Sequence, residues 1–159
     1  MVIHPISPVY DENSKILILG SFPSVKSRED EFFYAHAQNR FWKVTAAVFK
    51  KSAPETVHEK KIFLHECGIA LWDVIHSCEI SASSDSSIKN VVANDISPIL
   101  KTADIKKIFT NGKTADKYYN KYIKNQIGKS AVCLPSTSPA NAAWSLERLI
   151  KAWSEIKII

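Results

Sequence analysis

Residues Lys15–Gly20 read KILILG, four consecutive apolar side chains between a lysine and a glycine. An unbroken apolar run this short suits a strand buried on both faces, as in a parallel sheet. Three more stretches follow the same logic: Ile69–Val74 (IALWDV), Lys106–Thr110 (KKIFT) and Ala131–Leu134 (AVCL). Segments of helical spacing lie between them. After Asn39, a suitable N-cap, RFWKVTAAVFKK sets Phe41, Val44, Thr45, Val48 and Phe49 on one face. A second helix is expected from Pro54 through VHEKKIFLHEC, with Gly68 as its stop. Others are expected over Asn94–Ala103 (Pro98 in the first turn), over the lysine-rich Lys113–Lys124, and over Ala142–Ser154. Residues 21–37 and 77–90 (SCEISASSDSSIKN) carry neither period and read as loops. The alternation predicts an α/β fold, a three-layer α/β/α sandwich around a short, mainly parallel four-stranded sheet.

The 159 residues fit one domain spanning 1–159. Hydrophobic residues make up 45% and charged residues 23%, enough apolar content for a core without staples. No apolar run reaches the roughly 18 residues of a membrane helix. The start, MVIHPISPVYDEN, lacks a basic segment followed by an apolar one, so no signal peptide is expected. Cys67, Cys78 and Cys133 form no CxxC pair, which points away from zinc or iron–sulfur sites and toward reduced thiols in the cytoplasm. Cys133, inside a strand, is expected to be a buried thiol. The net charge of +5 is uneven: residues 101–130 carry eight lysines against Asp104 and Asp116. Such a stretch is either a solvated helix face or an attraction for a phosphate backbone.

In open α/β sheets, ligands bind beyond the carboxyl ends of the strands. Four segments, 20–39, 73–90, 111–113 and 135–141, should therefore meet at one crevice. None of them holds GxGxxG, a P-loop or a GxSxG elbow, so nucleotide cofactors and serine hydrolysis are not indicated.

Two of these segments carry a resemblance. GSFPSVKSREDEFFYAHAQNRFWKV (residues 20–44) and PSTSPAN (residues 135–141) are similar to the two motifs of the uracil-DNA glycosylase superfamily. The first is most like its hypoxanthine- (deoxyinosine-) DNA glycosylase branch. The mismatch-specific uracil/thymine glycosylases share the second half of that motif, but they carry a catalytic Asn where Phe22 stands here. In the second motif Ser136 replaces the usual His or Asn. The resemblance implies a uracil-DNA-glycosylase-like fold and a monofunctional enzyme. Such an enzyme hydrolyses the N-glycosidic bond of a deaminated base flipped out of DNA and leaves an abasic site. It would need no metal or other cofactor and would act as a cytoplasmic monomer. Hypoxanthine is favoured over uracil because its imidazole ring can be protonated as it leaves. The alternatives are a mismatch uracil/thymine glycosylase and a non-catalytic DNA- or nucleotide-binding module.

The resemblance also implies roles. Cleavage passes through an oxocarbenium-like state and needs a positioned water, charge stabilisation and a pocket for the base. Asn39 is the candidate catalytic residue, its amide oxygen accepting from the water and orienting it. Tyr34 matches the aromatic on which the base stacks, and Gly20, Ser21 and Phe22 belong to the same turn. Phe22 is pocket wall or ordinary core. Asp73 either accepts from a base N–H or caps the next loop through Ser77. Asn111 faces the base or simply forms an Asn-Gly turn. Ser24, Lys113, Ser136 and Ser138 are candidates for DNA contact. Pro139, Ala140 and Asn141 belong to the loop that relatives press into the duplex, with Ala140 where many carry a bulky wedge. His36 is expected to make a structural hydrogen bond within its loop, and Trp42, Trp72, Trp144 and Trp153 to serve the core.

Overall fold

A computed structural model describes residues 1–158. Its centre is a wholly parallel sheet of β2 (Ile16–Gly20), β3 (Ile69–Asp73), β6 (Lys107–Asn111) and β7 (Ala131–Leu134), in the order β3-β2-β6-β7. All five residues of β2 are buried, as KILILG requires of a central strand. Ile16 and Ile18 face one core with Leu71 and Phe109, while Leu17 and Leu19 face the other with Ala70 and Ile108. Each Ile, Leu or Phe side chain among them contributes about 1.5–3 kcal/mol by leaving water.

On the first face pack α2 (Phe41–Val48), α3 (Val57–Cys67) and α7 (Leu146–Trp153). A capping box formed by Thr56 and Glu59 opens α3, and Gly68 closes it in the left-handed conformation at φ 70°. On the second face lie α4 (Ser97–Thr102) and α5 (Lys113–Tyr118). Trp42 and Trp153 are buried, whereas Trp72 and Trp144 are half-buried against the first core.

The structure departs from the sequence reading in several places. Residues 21–37 contain a short helix, α1 (Val25–Asp30), which Ser24 caps by accepting from Ser27 N–H at 3.1 Å. Its six residues are too few to show a helical period. The serine-rich stretch is framed by strands β4 (Ile75–Glu79) and β5 (Lys89–Ala93). With β1 (Val2–Ile3) they form a second, antiparallel sheet in the order β1-β4-β5. Register shifts along the β4–β5 pair disrupt the period of two that would have betrayed it. The lysine-rich helix is interrupted by a π-helical turn over Tyr119–Ile123 before α6 (Lys124–Ile127). Helix α4 is shorter than expected because Asn94 is drawn inward, its amide donating to the carbonyls of Asp73 (2.9 Å) and Ile75 (3.2 Å). Helix α7 starts only at Leu146, behind a Ser145 cap. Cys133 is exposed, not buried, because β7 is the edge strand of the parallel sheet. Among the described residues, no helix is long and apolar enough to cross a membrane.

Candidate active site

The parallel register sets Gly20 directly opposite Asp73, at the carboxyl ends of β2 and β3. Asn111 ends β6 on the other side of β2. These ends form the floor of a cavity of about 340 Å³. Ser21, Phe22, Ser24, Tyr34 and Asn39 line it from the first motif. Ser136, Ser138, Pro139 and Ala140 line it from the second. Lys113 and Asn141 lie in an adjoining cavity of about 520 Å³ that shares Asp85, Ser136, Ser138 and Ala140 with the first. The sequence therefore anticipated the convergence of four segments, and the two cavities together form one polar crevice.

Gly20 is required by close approach. A Cβ on it would lie 2.3 Å from Asp73 Oδ1 and 2.8 Å from the Tyr34 hydroxyl, nearer than atoms can pack. Tyr34 holds a left-handed backbone, φ 51°, and stacks on Phe41 with ring centroids 4.2 Å apart. Its hydroxyl is buried with no hydrogen-bond partner. Burial, and then the negative charge of Asp73, push the phenol's pKa well above its usual range, with the Asn111 side chain offsetting part of this. Tyr34 therefore stays a neutral O–H.

Asn39, Thr137 and Asn111 form a chain of fixed direction. Thr137 N–H donates to Asn111 Oδ1 at 3.1 Å, so Asn111 must turn its amide nitrogen to Thr137 Oγ1, 3.0 Å away. The Thr137 hydroxyl then donates to Asn39 Oδ1 at 2.9 Å. Phe41 N–H donates to the same oxygen at 2.9 Å. The N-cap of α2 is Arg40, not Asn39 as expected. Asn39, one position further out, accepts from the first helical N–H, and with the Thr137 hydroxyl both lone pairs of its oxygen are occupied. These two bonds argue against the expected use of that oxygen as the acceptor for a water. What Asn39 presents to the crevice is its amide N–H group, which has no protein partner.

Asp73 does not cap the following loop through Ser77. Its Oδ2 lies 2.7 Å from His4 Nε2, and its Oδ1 is the oxygen beside Gly20. His4 was missed by sequence reasoning, since nothing in HPISP signals a long-range partner. Thr137 was missed inside its motif because threonine in a turn has an ordinary local explanation. Arg40 was missed as well. Its guanidinium bonds the carbonyls of Trp144 and Asn141, and its N–H donates to Thr137 O at 3.0 Å. It thus ties the second motif to the first.

Phe22 is both wall and core: it lines the cavity, is 9% exposed and meets His4 edge-on at 5.8 Å. The Ser24 hydroxyl is taken up inside α1, donating to Ser27 Oγ at 3.1 Å while accepting from Ser27 N–H. Its hydroxyl is therefore engaged within α1, while the residue itself lines the cavity. Ser136 and Ser138 accept from the Ser138 and Ala140 N–H groups, at 3.1 and 3.2 Å, and keep their O–H donors free. His36 Nδ1 accepts from Gln38 N–H at 3.1 Å within its own loop. Asp85, from the serine-rich loop, lines both cavities and lies 3.4 Å from Ser21 Oγ. Its outer side is open to water, but the cavity wall desolvates it enough to raise its carboxyl pKa. Among the described residues, no three His, Cys, Asp or Glu side chains gather as a metal site.

A sheet whose strand ends frame a polar crevice, flanked by these two motifs, defines a superfamily. The family model of the Uracil DNA glycosylase superfamily matches residues 7–157, and the chain belongs to that superfamily. Within it, the chain is 32% identical over 150 residues to the hypoxanthine DNA glycosylase of Methanosarcina acetivorans, covering 93% of this chain and 94% of that one. It is 31% identical to the hypoxanthine DNA glycosylase of Methanosarcina barkeri, covering 93% of each. A solution NMR structure of a candidate uracil DNA glycosylase from Methanosarcina acetivorans superposes with a TM-score of 0.81 at 28% identity. That match covers 99% of this chain and all of the other.

Proposed function

We propose that this protein is a monofunctional DNA glycosylase that hydrolyses the N-glycosidic bond of hypoxanthine flipped out of DNA and leaves an abasic site. The observation that carries this reading is the polarity of the cavity floor. Asp73 Oδ1 offers an acceptor with no protein partner, and the Tyr34 hydroxyl beside Gly20 offers a buried donor with none. A lactam edge, a ring N–H next to a carbonyl, is complementary to that pair. Adenine and cytosine present the reverse, a bare ring nitrogen beside an amino group, and would leave both floor groups unpaired. The names of the two Methanosarcina relatives support hypoxanthine as the lactam base.

Asn39 serves as the water-positioning catalytic residue through its N–H. A water that accepts this hydrogen bond keeps its second lone pair for the anomeric carbon. Because the sugar develops oxocarbenium character, position matters more than deprotonation. In this reading Tyr34 meets the base edge to edge through its hydroxyl, in place of the face-on stacking that the resemblance implies, and its ring face is packed on Phe41. Ser136, Ser138 and Lys113 contact the DNA backbone, and the 138–141 segment faces the gap in the duplex. No cofactor enters this scheme. We further take residues 1–159 as a single domain acting in the cytoplasm as a monomer; size-exclusion chromatography with light scattering tests the monomer.

Uracil carries the same lactam edge, and the candidate uracil DNA glycosylase shares the fold, so uracil is the second reading. End-labelled duplexes containing hypoxanthine, xanthine, uracil or adenine decide between them under single turnover. Hypoxanthine is expected to be released fastest, with strand breaks only after alkali. Faster release of uracil would overturn the hypoxanthine assignment. No release from any duplex would overturn the enzymatic one.

A further inference from the structure

The N-terminal segment is strapped along the edge of the molecule. Strand β1 pairs antiparallel with β4, and His4 N–H donates to His76 O at 2.7 Å. The Trp72 indole donates to Ile6 O at 3.1 Å, and Val9 exchanges two backbone hydrogen bonds with Leu71. These contacts drive the His4 side chain, 2% exposed, into a box formed by Phe22, Phe33 and Trp72.

Two hydrogen bonds fix its state. Ile6 N–H donates to His4 Nδ1 at 3.1 Å, so Nδ1 must carry a lone pair. The ring hydrogen therefore sits on Nε2, which donates to Asp73 Oδ2 at 2.7 Å. An imidazolium would set an N–H at Nδ1 against the N–H of Ile6. The same bond turns the Asp73 carboxylate so that Oδ1 stands beside Gly20, facing the cavity.

We propose that His4 is a positioning residue that sets base specificity: as a neutral Nε2–H donor it holds Asp73 as an acceptor aimed at the ring N–H of a lactam base. The inference rests on the reading of the cavity as a base pocket. It adds that the choice of base depends on a residue just past the end of β1, outside the parallel sheet, which does not touch the base. Removing the donor leaves a buried carboxylate free to rotate, which would erode the preference for lactam over amino edges.

Two isosteric replacements separate positioning from packing. His4→Gln places an amide nitrogen where Nε2 stands and can still donate to Asp73. His4→Asn keeps an acceptor for Ile6 N–H but cannot reach the carboxylate. Affinity for free hypoxanthine and free adenine is measured by ligand-observed NMR, alongside thermal unfolding and single-turnover excision. His4→Asn should weaken hypoxanthine binding by about tenfold or more, the scale of losing one charge-assisted hydrogen bond. Its ratio of hypoxanthine to adenine affinity should fall by a similar factor, while His4→Gln should stay within about threefold of the parent in both. Equal losses in the two variants that track their unfolding temperatures, or an unchanged affinity ratio in His4→Asn, would overturn the proposal. Free-base binding does not depend on catalysis. A parent protein that binds hypoxanthine selectively but releases none from DNA would sink the enzymatic reading and leave this test of His4 intact.

Discussion

At the floor of the crevice, Asp73 and Asn111 are buried and held in place through His4 and Thr137, which leaves Asp73 Oδ1 and the Tyr34 hydroxyl as the floor atoms without a protein partner. At its rim, Lys113 and Ala140 are exposed, and the Ser136 and Ser138 hydroxyls keep free hydrogens. The floor hangs on a parallel sheet in which a shift of a few tenths of an ångström meets packed atoms. The rim hangs on turns that bond mainly to themselves. A site that must discriminate between bases needs fixed groups that do not reorganise. A surface that must accept any flanking sequence needs groups that water can replace. Substitutions at the floor should therefore change chemistry and leave the salt response of DNA binding alone. Substitutions at the rim should do the opposite.

Gly20→Ala should have the largest effect. The added methyl would lie 2.3 Å from Asp73 Oδ1, and the paired strands leave neither residue room to retreat. Displacing the carboxylate by about 1 Å should cost at least about 100-fold in single-turnover excision. Affinity for an abasic-site duplex should hold. A variant that cuts at the parent rate would show that the floor is not the base-reading surface.

Asn39→Asp sharpens the floor further, with an expected loss of about 100-fold in single-turnover rate. The carboxylate keeps an oxygen for Phe41 N–H and Thr137 Oγ1, so the helix start is preserved. It loses only the N–H group facing the crevice. If the amide oxygen were the working atom, Asp would serve at least as well. Parent-like rates in Asn39→Asp would therefore restore the acceptor role that the hydrogen-bond directions argue against.

How much of this was legible follows the same division. The four buried strands announced themselves as apolar runs, and the strand-end rule then placed Gly20, Asp73 and Asn111 together. The motif residues Tyr34, Asn39 and Ser136 were visible through resemblance. The antiparallel sheet was hidden because Ser77 is a buried polar residue in β4, while Val92 in β5 is 51% exposed, against any simple pattern. With that sheet hidden, His4 could not be found, since its only link to Asp73 spans 69 residues. The direction of the Asn39 amide was hidden too. It is fixed by Thr137, 98 residues away, and no local spacing encodes it.

At the rim, changing Lys113 and Lys117 together to Ala should leave excision of bound substrate unchanged and alter the salt response of binding. Lys113 opens onto the second cavity, and Lys117, one turn further along α5, is also exposed. If each neutralises one phosphate, the slope of log K against log salt should flatten by up to about two units. Fluorescence anisotropy across a salt series reads this directly. An unchanged slope would assign these lysines to an ordinary solvated face.

The smallest effect is expected at Ala140, and it depends on the substrate. Its loop is stiffened by Pro139 and by the Arg40 guanidinium, which holds the carbonyls of Asn141 and Trp144. The backbone is thus firm where the side chain is short. An exposed methyl fills little of the space that a departing base leaves in a duplex. Unstacking and unpairing cost a few kcal/mol, least in mismatches and single strands. The parent should therefore prefer substrates in which the base is already loose. Ala140→Leu adds apolar volume at the tip without touching the floor. Burying the added carbons in the gap is worth about 1–2 kcal/mol, enough to raise excision from a well-paired duplex several-fold. In single-stranded DNA there is no gap to fill, so that rate should stay near the parent's. Equal changes on both substrates would mean that the 138–141 loop acts through the floor or on overall affinity. The mechanical separation between the two halves of the crevice would then fail at the point where they come closest.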